Sequence, residues 1–227
     1  ICTGIAVVII PIVCLYLLQC LLVPKYASDI KEGAMIKEYY NSEKNHDVLI
    51  LGDCEVYENI STVTMWENYG ISSYIRGSAE QLIWQSYYLL EDTLKYEKPQ
   101  VVILNVLAMT ESDAKNEAYN RMTLDGMKLS KYKIASIRES MTEEENMASY
   151  IFPLLRYHSR WSELSSDDIK YMFNKPKVTS NGYLMQVGVR PVTTVPKVSP
   201  LANYTFSDRN YEYLDKIKDL CNEKGIK

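Results

Sequence analysis

Residues 1–23, ICTGIAVVIIPIVCLYLLQCLLV, contain no charged side chain. A helix rises about 1.5 Å per residue, so a run of this length covers roughly the 30 Å hydrocarbon core of a bilayer. Every backbone amide in lipid needs a partner within the protein, which restricts such a segment to a helix. Pro11 would kink that helix, and membrane helices tolerate it. A cleaved secretory signal is the competing reading. That would have an apolar core of about 7–15 residues and a small-residue cleavage site, whereas this run is longer and leads into LVPKY. The sequence is therefore read as a single-pass transmembrane anchor (1–23), a juxtamembrane connector (24–46) and a domain over 47–227, expected to lie outside the cytoplasm.

The remaining composition narrows the options. A formal net charge of -4 over 227 residues argues against nucleic acid as a partner. Cys2, Cys14 and Cys20 lie in the apolar run, which leaves Cys54 and Cys221 for the domain. Two distant cysteines do not make a disulfide framework. There is no C-x-x-C and no His pair at ligand spacing, so no metal and no cofactor is expected.

The domain begins with DVLIL (47–51), a continuous apolar run closed by Gly52, as in a buried parallel strand. STVTMWENYG reads as a helix with Ser61 as N-cap and Gly70 past its end. ISSYIRG (71–77) is a second strand. The next helix would start at a capping box of Ser78 and Gln81 and stop at Pro99. QVVILNVL (100–107) is a third strand. Strand, helix, strand, helix, strand with short connections predicts an α/β fold with a parallel, doubly wound sheet. Residues 113–173 read as helical, with a second capping box at Thr142 and Glu145. Asn120 and Arg121 receive no assignment. A proline-rich excursion covers 174–207. The final segment, SDRNYEYLDKIKDLCNEKG, is an amphipathic helix with Tyr211, Leu214, Ile217 and Cys221 on its inner face and Gly225 at its end. The chain opens on Ile1 and ends on IK, where a fourth strand is due. It reads as a fragment whose α/β domain is truncated at its C-terminus.

Cys54 gains its interest from this order. In open α/β sheets, ligands bind beyond the carboxyl ends of the strands, and Cys54 follows the first strand directly. A helix start there would lower a thiol's pKa and offer N–H groups to an oxyanion. The neighbouring carboxylates of Asp53 and Glu55 act in the opposite sense.

The stretch DVLILGDCEVY resembles the first block of the SGNH/GDSL hydrolases, in which a strand runs into Gly-Asp-Ser with serine as acyl nucleophile. Residues 69–106, with Gly77, resemble the next part of that fold. The closest resemblance is to the membrane-anchored, extracytoplasmic type that accompanies membrane-bound O-acyltransferases, such as the D-alanyl-lipoteichoic acid biosynthesis proteins of the DltD type. The resemblance implies a three-layer, flavodoxin-like sheet and acyl-ester hydrolysis or transfer on a bacterial cell-envelope glycopolymer. It places Cys54 in the nucleophile position, gives the Gly77 N–H to the oxyanion hole and sets Asn105 near the third-block Asn. LNVLAMTES departs from that block's Gly-x-Asn-Asp, and the family's Asp-x-x-His does not occur in the chain. Three readings of Cys54 stand side by side. It is a thiol nucleophile, or the mark of an inactive member that binds or presents substrate, or a packing residue in an unrelated α/β protein.

FPLLRYHSRWSEL (152–164) gathers Arg156, His158, Arg160 and Trp161. This suits a basic, aromatic surface for an anionic polymer, a phosphate or a membrane partner, and equally a helix end with solvated arginines. Asp53 joins these as a candidate binding residue. His46, just before the first strand, is expected to be solvated.

Overall fold

The computed structural model describes residues 2–114, 116–188, 191 and 205–227. Its centre is a parallel sheet of three strands, β1 (Val48–Gly52), β2 (Ser73–Gly77) and β3 (Val101–Leu104), in the order β2-β1-β3. Gly52 of β1 pairs with Gly77, and Leu51 pairs with Leu104. All five residues of β1 are buried, and its side chains alternate between two apolar clusters. Leu49 and Leu51 pack with Ile83, Trp84, Leu89, Leu90, Ile217 and Cys221, while Val48 and Ile50 pack with Met35, Val56, Tyr57, Ile75 and Leu184. That alternation is the period of a strand covered on both faces, and it is why the run is continuously apolar.

The chain continues this sheet at its end. Lys227 donates its N–H to Gln100 O at 3.0 Å, and Val102 donates to Lys227 O at 2.8 Å. This is the bonding of a parallel pair, so Lys227 lies beside β3 as the expected fourth strand would.

Between the strands, α3 (Cys54–Tyr57) is a single turn, and α4 (Thr62–Tyr69) has the predicted caps. Ser61 Oγ accepts from Thr64 N, and Gly70 closes α4 in the left-handed region. The helix after β2, α5 (Ile83–Thr93), begins later than its sequence signal. Ser78 and Gln81 do bond to each other, but the first-turn partner is Gln85, whose Oε1 accepts from Leu82 N at 3.1 Å. Ser78 is instead drawn to Thr123, and Gln81 bonds Arg76 O and Ser86.

The helical region is broken into short pieces: α6 (Glu117–Leu124), α7 (Lys131–Ser140), α8 (Met147–Ile151), α9 (Leu154–Tyr157), a 3-10 turn (His158–Glu163) and α10 (Ser166–Lys170). Glu145 accepts from Thr142 N–H as a capping box requires, yet helix α8 starts only after Asn146. Glu145 also takes the Tyr150 hydroxyl and Asn120 Nδ2, which holds the box as a turn. Arg121 is buried on α6, bonded to Glu117, Asp125 and Ser149 and set over the Tyr150 ring. The last helix, α11 (Asp208–Lys224), has Ser207 as N-cap and left-handed Gly225 at its end. Its inner face is Asn210, Tyr213, Ile217 and Cys221, while Tyr211 is exposed. The helix turns this way because Asn210 Nδ2 donates to Met109 O and Glu111 O.

Two segments are more integral than their sequence indicated. The connector forms α2 (Glu32–Glu38) and a 3-10 turn (Tyr39–Asn41), and Met35, Ile36 and Tyr39 join the core. His46 is buried, not solvated, because Glu97 takes both its ring and its backbone N–H. Residues 178–184 cover the free edge of β2, with Ile75 N donating to Asn181 O and Leu184 N to Tyr57 O. The rest of the proline-rich excursion, 189–190 and 192–204, lies outside the described residues.

The first helix, α1, runs over Cys2–Leu22 with Pro11 inside it. Val7, Ile9, Ile10, Ile12 and Val13 are exposed along it. Among the described residues no helix is long and apolar enough to cross a membrane.

Candidate functional site

The carboxyl ends of the three strands bring Gly52-Asp53-Cys54, Gly77 and Asn105 together. Gly52 ends β1, Asp53 caps α3 by accepting from Glu55 N at 3.1 Å, and Cys54 is the first, exposed residue of that turn. Asn105 follows β3, and its Nδ2 donates to Asp53 Oδ1 at 3.0 Å. Its Oδ1 accepts from Leu107 N at 2.9 Å. Asn105 therefore braces the Asp53 turn from the neighbouring strand, a tie that the sequence alone did not reveal.

Gly77 lies beside Gly52 in register. A Cβ there would meet Gly52 O at 2.8 Å and Tyr57 Cδ1 at 3.1 Å. Only glycine lets β2 run this close to the Gly52 turn.

The surroundings of Cys54 oppose thiolate formation. Burial raises its thiol pKa, and the charges of Asp53, Glu58 and Glu55 raise it further. Glu58 lies four residues on from Cys54, and its backbone N–H bonds Cys54 O, which returns it to the same side of the turn. The i, i+4 spacing of Cys54 and Glu58 is the one sequence signal of this contact. Val106 and Leu107 are exposed immediately after Asn105, which leaves an apolar surface at the same edge.

The candidate binding residues of 152–164 are elsewhere. Arg156 pairs with Glu117 at 3.1 Å, and Arg160 pairs with Asp168 at 3.2 Å. His158 is exposed, its Nδ1 bonded to Leu155 O. These residues sit on α9 and the turn that follows it, both packed against α1. His46 is bound to Glu97 just before β1, at the opposite end of the strand from Cys54. Neither histidine is placed to serve Cys54 as a base. Among the described residues no group of His, Cys, Asp and Glu could hold a metal ion.

Two cavities lie away from Cys54. One of about 360 Å³ is bounded by α1, α2 and residues 171–176. The other, about 510 Å³, opens near the amino ends of the strands beside His46, Trp66 and Tyr74. No family model, no curated protein and no solved structure matches the chain.

Proposed function

We propose that the chain is a membrane-anchored, SGNH-like domain, three-layered and flavodoxin-like, that hydrolyses or transfers acyl esters on a cell-envelope glycopolymer. The observation that carries this reading is the convergence of Gly52-Asp53-Cys54, Gly77 and Asn105 at one sheet edge, each on a different strand end. In the reaction the Cys54 sulfur attacks the ester carbonyl. A C–S bond forms, the ester C–O bond breaks, and the thiol proton leaves on the released alcohol. Water or a polymer hydroxyl then takes the acyl group and returns the proton to sulfur. The N–H groups of Cys54 and Gly77 would bear the oxyanion, and Val106 and Leu107 offer apolar surface for the acyl chain.

A second reading is favoured by one observation: burial of Cys54, and after it the carboxylates of Asp53, Glu58 and Glu55, push its thiol pKa up, away from the thiolate a nucleophile needs. In that reading the fold is a non-catalytic binding or assembly partner of a membrane-bound O-acyltransferase.

The two separate on incubation of the full chain with p-nitrophenyl acetate and mass analysis of the tryptic peptides. The catalytic reading expects an acetyl group on the peptide carrying Cys54, lost in Cys54→Ala and regained in Cys54→Ser. Equal labelling of wild type and Cys54→Ala would remove Cys54 from the mechanism and leave the partner reading.

A further inference from the structure

Residues 152–173 turn a group of large apolar side chains to the surface. Phe152, Leu155, Trp161, Ile169 and Phe173 are exposed, Trp161 at 72% and Ile169 at 70%. Two polar side chains of the same stretch, Asp168 and Tyr157, turn inward, while Arg156, His158, Glu163 and Lys170 stay exposed among the apolar ones. Asp168 is 2% exposed and is shared by Arg160 and Lys25. Tyr157 is buried and donates its hydroxyl to Asp125 at 2.8 Å. A surface facing only water rarely presents large apolar side chains in this density.

The stretch is also fastened to the end of α1. Arg160 Nη1 donates to Leu22 O, Lys25 Nζ donates to Leu21 O at 3.1 Å, and Ser28 donates to Asp167. Two cations thus meet the free carbonyls at the helix C-terminus, where the helix dipole favours them. Leu155, Trp161 and Ile169 thus lie on α9, the 3-10 turn and α10, all three packed against α1, whose own apolar side chains are exposed.

We propose that α9, the 3-10 turn and α10 form a collar that lies in the bilayer interface around the base of the anchor. Trp161 would sit at headgroup depth, where amphipathic aromatic rings partition. Ile169 and Phe173 would dip below it, as the apolar faces of interfacial helices do. The collar would hold the α/β domain at a set height and tilt over the membrane. The occupant is lipid and not protein, because the patch lies on elements packed against α1, whose own exposed side chains are apolar. This rests on α1 being a membrane anchor.

The test uses the full chain in phosphatidylcholine vesicles whose acyl chains are either brominated or ordinary. Trp84 is fully buried and Trp66 lies on α4, so Trp66→Phe protein compared with Trp66→Phe/Trp161→Phe isolates Trp161 emission. The expected result is co-flotation with the vesicles, with Trp161 emission reduced by about half in brominated lipid and shielded from aqueous iodide. Co-flotation with Trp161 open to iodide and indifferent to bromine would overturn the collar and leave the anchor standing. Shielding from both quenchers would mean that a second protein copy covers the patch, which also overturns it. Failure to float would overturn the anchor and the collar together.

Discussion

At the scale of the residue, Cys54 is a thiol in a position suited to chemistry and an environment that does not activate it. Burial and three carboxylates hold it protonated beyond the range of an ordinary thiol. The alkylation rate with iodoacetamide should therefore reach its half-maximum at a higher pH than that of an unstructured cysteine peptide. Glu58→Gln removes one of the opposing charges without touching the Asp53 cap, and it should move that midpoint down. An unchanged midpoint in Glu58→Gln would show that Glu58 takes no part and that burial with Asp53 and Glu55 sets it. Asp53 and Glu55 were visible as opposing neighbours in the sequence. Glu58 acts only because the turn brings position i+4 back to the thiol.

At the scale of the element, two segments that read as linkers are structural parts. The first carries His46, whose ring and backbone N–H both bind Glu97. Burial by itself would raise the Glu97 carboxyl, but the hydrogen bonds from His46 and Tyr39 outweigh it and hold the group below its usual value. A carboxyl depressed on folding stabilises fully above its unfolded pKa, about 4.3 for Glu, and that stability fades as pH falls through the folded value. Glu97→Gln should cost about 1–3 kcal/mol at pH 7, read from urea unfolding, and the gap to wild type should narrow below pH 4. The second is the strap over β2. Gly182 has φ 83°, and a Cβ there would run into Ile75 O. Gly182→Ala should destabilise by about 2–4 kcal/mol from the left-handed backbone and the clash together, and should speed amide exchange at Ile75 as the strap lifts. A loss below 0.5 kcal/mol, within the usual range for surface substitutions, would show that the strap is dispensable.

At the scale of the molecule, the connector, β2 and α5 are joined at one buried cation. Arg76 is fully buried on β2 and donates to Leu89 O, Asp92 and Thr93 of α5 and to Tyr40 of the connector, with Tyr39 stacked at 4.3 Å. Arg76→Ala leaves buried Asp92 with only the long contact to Lys95 at 3.8 Å and should cost about 3–5 kcal/mol. Replacing both partners, Arg76→Leu with Asp92→Leu, should recover much of that, because no unpaired charge then remains inside. A double variant no more stable than Arg76→Ala would show that Tyr40 and the α5 carbonyl, and not the ion pair, are what Arg76 serves.

The sheet was legible because its signal is local. A run of buried apolar residues closed by glycine defines β1, and alternation with capped helices defines the parallel order, since short connections leave few other arrangements. Ser61 with Gly70 and Ser207 with Gly225 marked helix ends from sequence because a cap is settled within one turn. The same local signals failed wherever a distant partner competed for the side chain. Thr123 drew Ser78 away from a helix start, Asn120 and Tyr150 held Glu145 in a turn, and Met109 and Glu111 turned α11 about its axis. The candidate site divides in the same way. Sequence order alone put Gly52-Asp53-Cys54, Gly77 and Asn105 at strand ends. Only the tertiary structure decided that those ends meet, that Asn105 braces Asp53, that both histidines are engaged away from Cys54, and that the cations of 152–164 are spent on acids while its apolar side chains face outward. Hydrogen bonds and ion pairs between residues tens of positions apart leave no periodic trace in a sequence, because nothing local constrains which partner each polar group finds.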